Sequence, residues 1–191
     1  MPAADDGPAR ESVDPRAFRD TIGLFASGIT VVAAQHGDHV HAMTANALTS
    51  LSLRPALLIF CVSKQAKMAA ELEHGSAFSI NILRAEQQAL SNYFAGQWLD
   101  HDPPPFDFDP WEATPRLQHC AAALACVVDS QSEGGDHWII VGRVRATYRP
   151  PEPPDPLVFY GGKYRRLAPQ EAPAPDLNDE TMPIQIFYDP W

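Results

Sequence analysis

Two long apolar-rich runs, residues 117–128 and 138–148, are joined by the segment SQSEGGDH, residues 130–137. Polar residues and paired glycines between two such runs read as a hairpin connection, which makes the two strands antiparallel neighbours. Elsewhere strand-like runs follow one another with only two or three helical stretches and no regular strand-helix-strand alternation. The pattern predicts a mainly β fold with a few helices, a small antiparallel, Greek-key-like barrel rather than a doubly wound sheet. With 191 residues and 45% hydrophobic composition, the chain is long enough for one domain with a packed core.

Helical pattern begins at Asp14, which can accept from the first free amides of a helix, with Pro15 suited to the first helical position and Phe18, Ile22 and Phe25 on one stripe before Gly28. A strand at 29–34, a turn at 36–39 and a long strand at 40–53, broken by Pro55, follow. Residues 57–63 read as a buried strand, 65–74 as a helix ended by Gly75, 77–83 as a strand, and 85–95 as a helix stopped at Gly96. The segment 97–115 carries Pro103, Pro104, Pro105 and Pro110, and is expected to be a long irregular loop, a lid or a partner arm. Short strands are expected at 157–160 and near Tyr164. The domain thus spans 15–167, between a disordered N-terminal arm at 1–14 and a Pro-rich, acidic C-terminal arm at 168–191.

Several function classes lose support. A net charge of -10 argues against a non-specific nucleic-acid binder, which needs a basic face to displace phosphate counterions. Phosphate-loop, dinucleotide-fold, nucleophile-elbow and H-E-x-x-H patterns do not occur. His39 and His41 could share a strand face, but no third ligand stands at matching spacing, so no metal is expected. Cys61, Cys120 and Cys126 form no C-x-x-C pair and sit in or beside apolar runs, as reduced core residues of a cytoplasmic protein do. No apolar run is long enough to span a bilayer, and residues 1–12 have no apolar leader segment.

The stretch MTANALTSLS, residues 43–52, contains five small polar residues, Thr44, Asn46, Thr49, Ser50 and Ser52. Read with a period of two, neither of its faces is a core face. It describes either a solvated edge strand or a strand whose small side chains let a flat polar ligand come close to the backbone.

Five blocks in order, FRDTIGLFASGITVVAA from Phe18, HAMTANALTSLSLRPALLIFCVS from His41, FSINILRAEQQALSNYFA from Phe78, GDHWIIVGRV from Gly135 and PLVFYGGKYRRL ending at Leu167, resemble the flavin reductase family. The resemblance covers about residues 16–167. It implies an FMN-binding split β-barrel, the reductase component of two-component flavin monooxygenases, which supplies reduced flavin to a partner monooxygenase. On that resemblance Thr44, Ala45, Asn46 and Ala47 lie along the isoalloxazine ring, and Ser50, Leu51 and Ser52 reach the ribityl chain and phosphate. An Asn side chain and backbone amides both donate and accept at the pyrimidine edge, and donors there stabilise negative charge on the reduced ring. Ser63, Lys64 and Lys67 match the family's phosphate turn, where a helix start would aim free N–H groups at the anion.

The same resemblance sets His137, of G-D-H, on the nicotinamide side, Phe94 in the flavin pocket, and Tyr164 and Arg165 beside the dinucleotide. On the residues alone, His137 reads as a turn residue, Tyr164 as a packed strand residue, Phe94 as a core aromatic, and Lys64 and Lys67 as an ordinary solvated helix face. The implied reaction is hydride transfer from NADH or NADPH to FMN or FAD in a homodimer. A noncatalytic FMN carrier or sensor, or a ligand-free dimerisation module, remains an alternative for the same residues.

Overall fold

The computed structural model describes residues 13–152 and 154–168. The arms expected at 1–14 and 168–191 therefore lie outside the described residues except for Val13, Asp14 and Ala168. Helix α1 (Pro15–Ile22) starts as its sequence dictates: the Asp14 carboxylate accepts from the amides of Arg16 and Ala17 at 3.3 and 3.1 Å. None of its residues is buried, and Phe18, Ile22 and Phe25 are 62%, 54% and 77% exposed, so the apolar stripe has no cover within the described residues.

After the short β1 (Ser27–Gly28) come β2 (Thr30–His36) and β3 (His39–Ala45), and then β4 (Leu48–Leu53) and β5 (Ala56–Ser63). The single strand expected at 40–53 is thus two strands, broken at Asn46 and Ala47. Together with β6 (Ala77–Ile82), β9 (Ala122–Gly134) and β10 (His137–Tyr148), they form one seven-stranded antiparallel sheet in the order β3-β2-β6-β9-β10-β5-β4. Its two edges, β3 and β4, are consecutive in the chain. Laid flat, seven strands would hold those edges about 29 Å apart, yet Ala45 and Leu48 are separated by a span of at most about 11 Å. The sheet must therefore curl until its edges meet, and because β3 and β4 are not hydrogen-bonded neighbours, the barrel is split along that seam.

The curled sheet encloses Val32, Leu58, Phe60, Val62, Phe78, Ile80 and Ile140, all between 0% and 3% exposed. Alternate residues of β2 point the other way. Val31 joins Ile29, Leu83, Leu90, Leu117 and Leu157 in a second core on the outside of the barrel. That core lies under helix α2 (Gln88–Phe94) and a hairpin of β7 (Phe108–Trp111) and β8 (Thr114–Leu117), while β11 (Val158–Tyr160) and β12 (Lys163–Arg165) form a small sheet with β1.

Three local expectations change. The helix expected at 65–74 is a single 3-10 turn, Lys67–Glu71. No side chain caps its first residues, and Met68 and Leu72, both 0% exposed, are drawn into the barrel core. The loop expected at 97–115 ends in the β7–β8 hairpin, whose two turn residues, Glu112 and Ala113, carry φ of 49° and 59° without the Asn-Gly usual for that geometry. Pro110 and Pro115 face each other across it, so two residues that ordinarily argue against a strand share one rung. Finally, the connection at 130–137 shrinks to Gly135 and Asp136, because the ladder continues to Gly134 opposite His137. Gly135, at φ 68°, occupies the first turn position, where a type II′ turn takes glycine.

Candidate functional site

The seam brings four of the sequence-selected residues, Asn46, Ala47, Ser63 and His137, to one end of the barrel. Asn46 and Ala47 cross it and are exposed, and the Ala47 carbonyl accepts from the amide of Cys61 at 3.3 Å, fastening the crossing to β5. Two residues further along β5, Ser63 is the direct cross-strand partner of His137 on β10. Asn46, Ala47, Ser63 and His137 thus follow one another around the rim. The Asn46 Nδ2 donates to the Ser27 hydroxyl at 3.3 Å, while its Oδ1 has no partner among the described residues. An exposed carboxamide oxygen beside an unpaired strand edge and small side chains suits the polar edge of a flat heteroaromatic ring.

Beyond the crossing, β4 departs from strict alternation. The ladder with β5 skips Leu51, pairing Ser50 with Leu58 and Ser52 with Leu57, so Leu51 is the extra residue of a bulge and is 51% exposed. Ser50 is exposed, whereas the Ser52 hydroxyl accepts from the amide of Arg54 at 3.2 Å within the turn to β5. Ala45 is buried, its carbonyl accepting from the Thr30 hydroxyl at 2.8 Å.

Three of the expected contacts form a support rather than an open surface. The Thr44 hydroxyl donates to the Ser91 carbonyl of α2 at 2.7 Å. The Tyr164 hydroxyl donates to Asn92 Oδ1 at 2.9 Å and lies 2.9 Å from the Ser91 hydroxyl. These bonds tie β3 and β12 to the same helical turn. Phe94 packs edge-on against Tyr93 and Phe106, with ring centroids at 5.1 and 5.0 Å, and belongs to the second core. Arg165 is exposed on β12, opposite Val158. Ser27, Ser91 and Asn92 are the partners that sequence reasoning missed. Their only signal is a small polar residue in an otherwise apolar neighbourhood.

The charged residues divide between the two faces of the sheet. Lys64 stands on the Trp138 side, with its ammonium 5.0 Å from the indole centroid and 3.1 Å from Glu133 Oε2. Its amide donates to the Asp136 carbonyl at 3.0 Å, fixing the β9–β10 turn against the end of β5. Lys67 is exposed on the 3-10 turn, which offers no long helix to focus a dipole. His137 Nδ1 donates to Asp136 Oδ1 at 2.7 Å, and this bond holds the Asp136 carboxyl below the usual carboxylate range. No group of three or more metal-binding side chains occurs among the described residues, and no described helix is long and apolar enough to cross a membrane.

A split barrel with a small-residue crossing at its seam and a hairpin histidine beside it can now be set against known proteins. The family described as flavin reductase-like domain matches residues 22–168. The chain belongs to this family. It is 38% identical over 158 residues to a NADH-dependent flavin reductase from Rhodococcus sp., covering 81% of this chain and 88% of that one. To the reductase component of 4-hydroxyphenylacetate 3-monooxygenase from Thermus thermophilus it is 40% identical over 151 residues, covering 79% and 95%. Among solved structures, the NADH:FAD oxidoreductase SgcE6 of Streptomyces globisporus, in complex with NAD and FAD fragments, superposes with a TM-score of 0.74 at 34% identity, covering 85% of this chain and 100% of that one. The split-barrel fold expected from the family resemblance is the fold observed.

Proposed function

We propose that this protein is an NADH- or NADPH-dependent flavin reductase that supplies reduced FMN or FAD to a partner flavin-dependent monooxygenase. The observation that carries the site is the row Asn46, Ala47, Ser63 and His137 around the seam. Similarity to a monooxygenase reductase component supports the partner.

The bound flavin supplies the acceptor for hydride from the dihydronicotinamide. The chain supplies position and charge. Asn46 and the backbone of the crossing hold the pyrimidine edge of the ring, and the bulge at Leu51 exposes Ser50 toward the ribityl side. Lys67 and Lys64 attract the phosphate. Lys64 can exchange its exposed Glu133 partner for phosphate at little cost, since a surface ion pair contributes about 0–1 kcal/mol. His137, next in the rim row, would orient the nicotinamide against the flavin, where positioning of the reacting atoms sets the rate. Thr44 and Tyr164 hold α2 by their bonds to Ser91 and Asn92, and Phe94 anchors the end of α2 in the second core.

A homodimer accounts for the uncovered apolar side chains of α1, the bend after it and β4, including Phe18, Phe25 and Leu53 at 62%, 77% and 68% exposure. The half-buried and buried thiols fit a reducing cytoplasm. Oxidation of NADH and of NADPH, assayed with FMN and with FAD, tests the proposal. Turnover with one pair is expected, and flavin retention without turnover would make the protein a carrier instead.

A further inference from the structure

The hairpin that carries His137 divides two duties within one residue. The backbone carbonyl of Asp136 fastens the turn to β5 by accepting from the Lys64 amide at 3.0 Å. Its carboxylate does none of this work. It is 94% exposed, and its one hydrogen bond among the described residues is the one it accepts from His137 Nδ1 at 2.7 Å. The neighbouring charges are already engaged with each other, since the Lys64 ammonium lies 3.1 Å from Glu133 on the Trp138 side of the hairpin. Ser63, opposite His137, is uncharged.

A carboxylate can only accept, so the nitrogen facing it must carry the proton. In a neutral imidazole that leaves Nε2 as an acceptor, turned away from the turn on a side chain that is 44% exposed. We propose that Asp136 is a positioning residue for His137: it holds the Nδ1–H tautomer, so that Nε2 accepts from the amide N–H of the nicotinamide carboxamide. This rests on the assignment of His137 to the dinucleotide side. A primary carboxamide supplies the N–H donor that such an acceptor needs. The bond from the His137 imidazole holds the Asp136 carboxyl below the usual carboxylate range, so the acceptor that faces Nδ1 is ionised at neutral pH.

Two measurements test this. Nitrogen-15 NMR of the imidazole ring in the full chain should show one tautomer with the proton on Nδ1, a mixture in Asp136→Ala, and recovery in Asp136→Asn, which keeps an acceptor oxygen. Kinetically, Asp136→Ala should raise the KM for NADH by about three- to tenfold with flavin affinity unchanged, and should add nothing in a His137→Ala background. A mixed tautomer in the wild-type chain, or an Asp136→Ala effect that persists without His137, overturns the proposal. If the tautomer shifts as expected while His137→Ala leaves KM and turnover unchanged, the positioning stands and the assignment of His137 to the dinucleotide falls.

Discussion

Ser63 and His137 are direct cross-strand partners on β5 and β10, at the end of the ladder where Asn46 and Ala47 cross the barrel seam. On the proposed function, a flavin held at the crossing would lie beside the hairpin histidine. On that reading, the residues proposed to set flavin affinity differ from the one proposed to set dinucleotide turnover, and the two can be tested separately.

His137→Ala should leave flavin affinity nearly unchanged and lower kcat/KM for NADH by about ten- to a hundredfold, equal to roughly 1.4–2.8 kcal/mol of lost transition-state positioning. Stopped-flow bleaching of the flavin at equal flavin saturation checks it. Identical rates for wild type and variant, at both limiting and saturating NADH, would reduce His137 to a turn residue.

Asn46→Leu removes the free Oδ1 at the crossing and breaks the bond to Ser27. Flavin binding should weaken by about 1–3 kcal/mol, the cost of leaving polar groups of the ring without a partner. Fluorescence titration measures it. Since Asn46 is exposed, its replacement should leave the melting temperature almost unchanged, which distinguishes a lost contact from a damaged fold.

How much of this was legible in the residues differs by element. The β9–β10 hairpin, the Asp14 cap and the position of strand β5 follow from local rules, because an apolar run, an N-cap and a glycine turn each act within a few residues, although β5 buries only every second residue where its unbroken apolar run suggested full burial. The seam does not. Nothing in TANALT marks a break, since the two strands it joins lie on opposite edges and their separation is set by the closure of the whole sheet. The β7–β8 hairpin was hidden for a different reason: Glu112 and Ala113 take left-handed backbone angles, and Pro110 faces Pro115. The buried Asn81 pins that hairpin, donating to the Val31 carbonyl at 3.1 Å and accepting from the Leu117 amide at 2.9 Å. At the site, small residues announced Asn46, but the bond from Thr44 to Ser91 spans 47 residues and left no local trace.

The thiols should divide by burial. Desolvation pushes Cys120 up to about 11 and Cys126 up to about 12, while Cys61 is half-buried on β5. A thiol reagent at neutral pH is expected to label one cysteine per native chain, at Cys61, and three after denaturation. Labelling of Cys126 in the folded protein would contradict the closed barrel. Bound flavin should slow the reaction of Cys61, whose amide is tied to Ala47.

Light scattering should give the mass of a dimer at micromolar concentration. Replacing Phe18 and Phe25 by Asp should shift it toward monomer if the stripe on α1 is the covered face, because a charge cannot be buried there without a partner. Wild type that stays monomeric with turnover intact would remove the second protomer from the site.

Gly142 offers the sharpest test of the barrel interior. A methyl group at its Cα would stand 2.6 Å from Phe78 Cζ and 3.1 Å from Leu58 Cδ1. Phe78 is 0% exposed and packed against Phe60 with ring centroids 5.5 Å apart, so it has no free volume into which to retreat. Gly142→Ala should therefore destabilise by overpacking, about 1–3 kcal/mol, which for a domain of this size lowers the melting temperature by about 2–12 °C. Gly28 on β1 is the control, because an added methyl there meets nothing within 4 Å and its backbone is not in the left-handed region. Gly28→Ala should remain within about 0.5 kcal/mol of wild type. Equal melting of the two variants would mean that Gly142 does not face Phe78 across the barrel interior, and the enclosure of Phe78 would have to be abandoned.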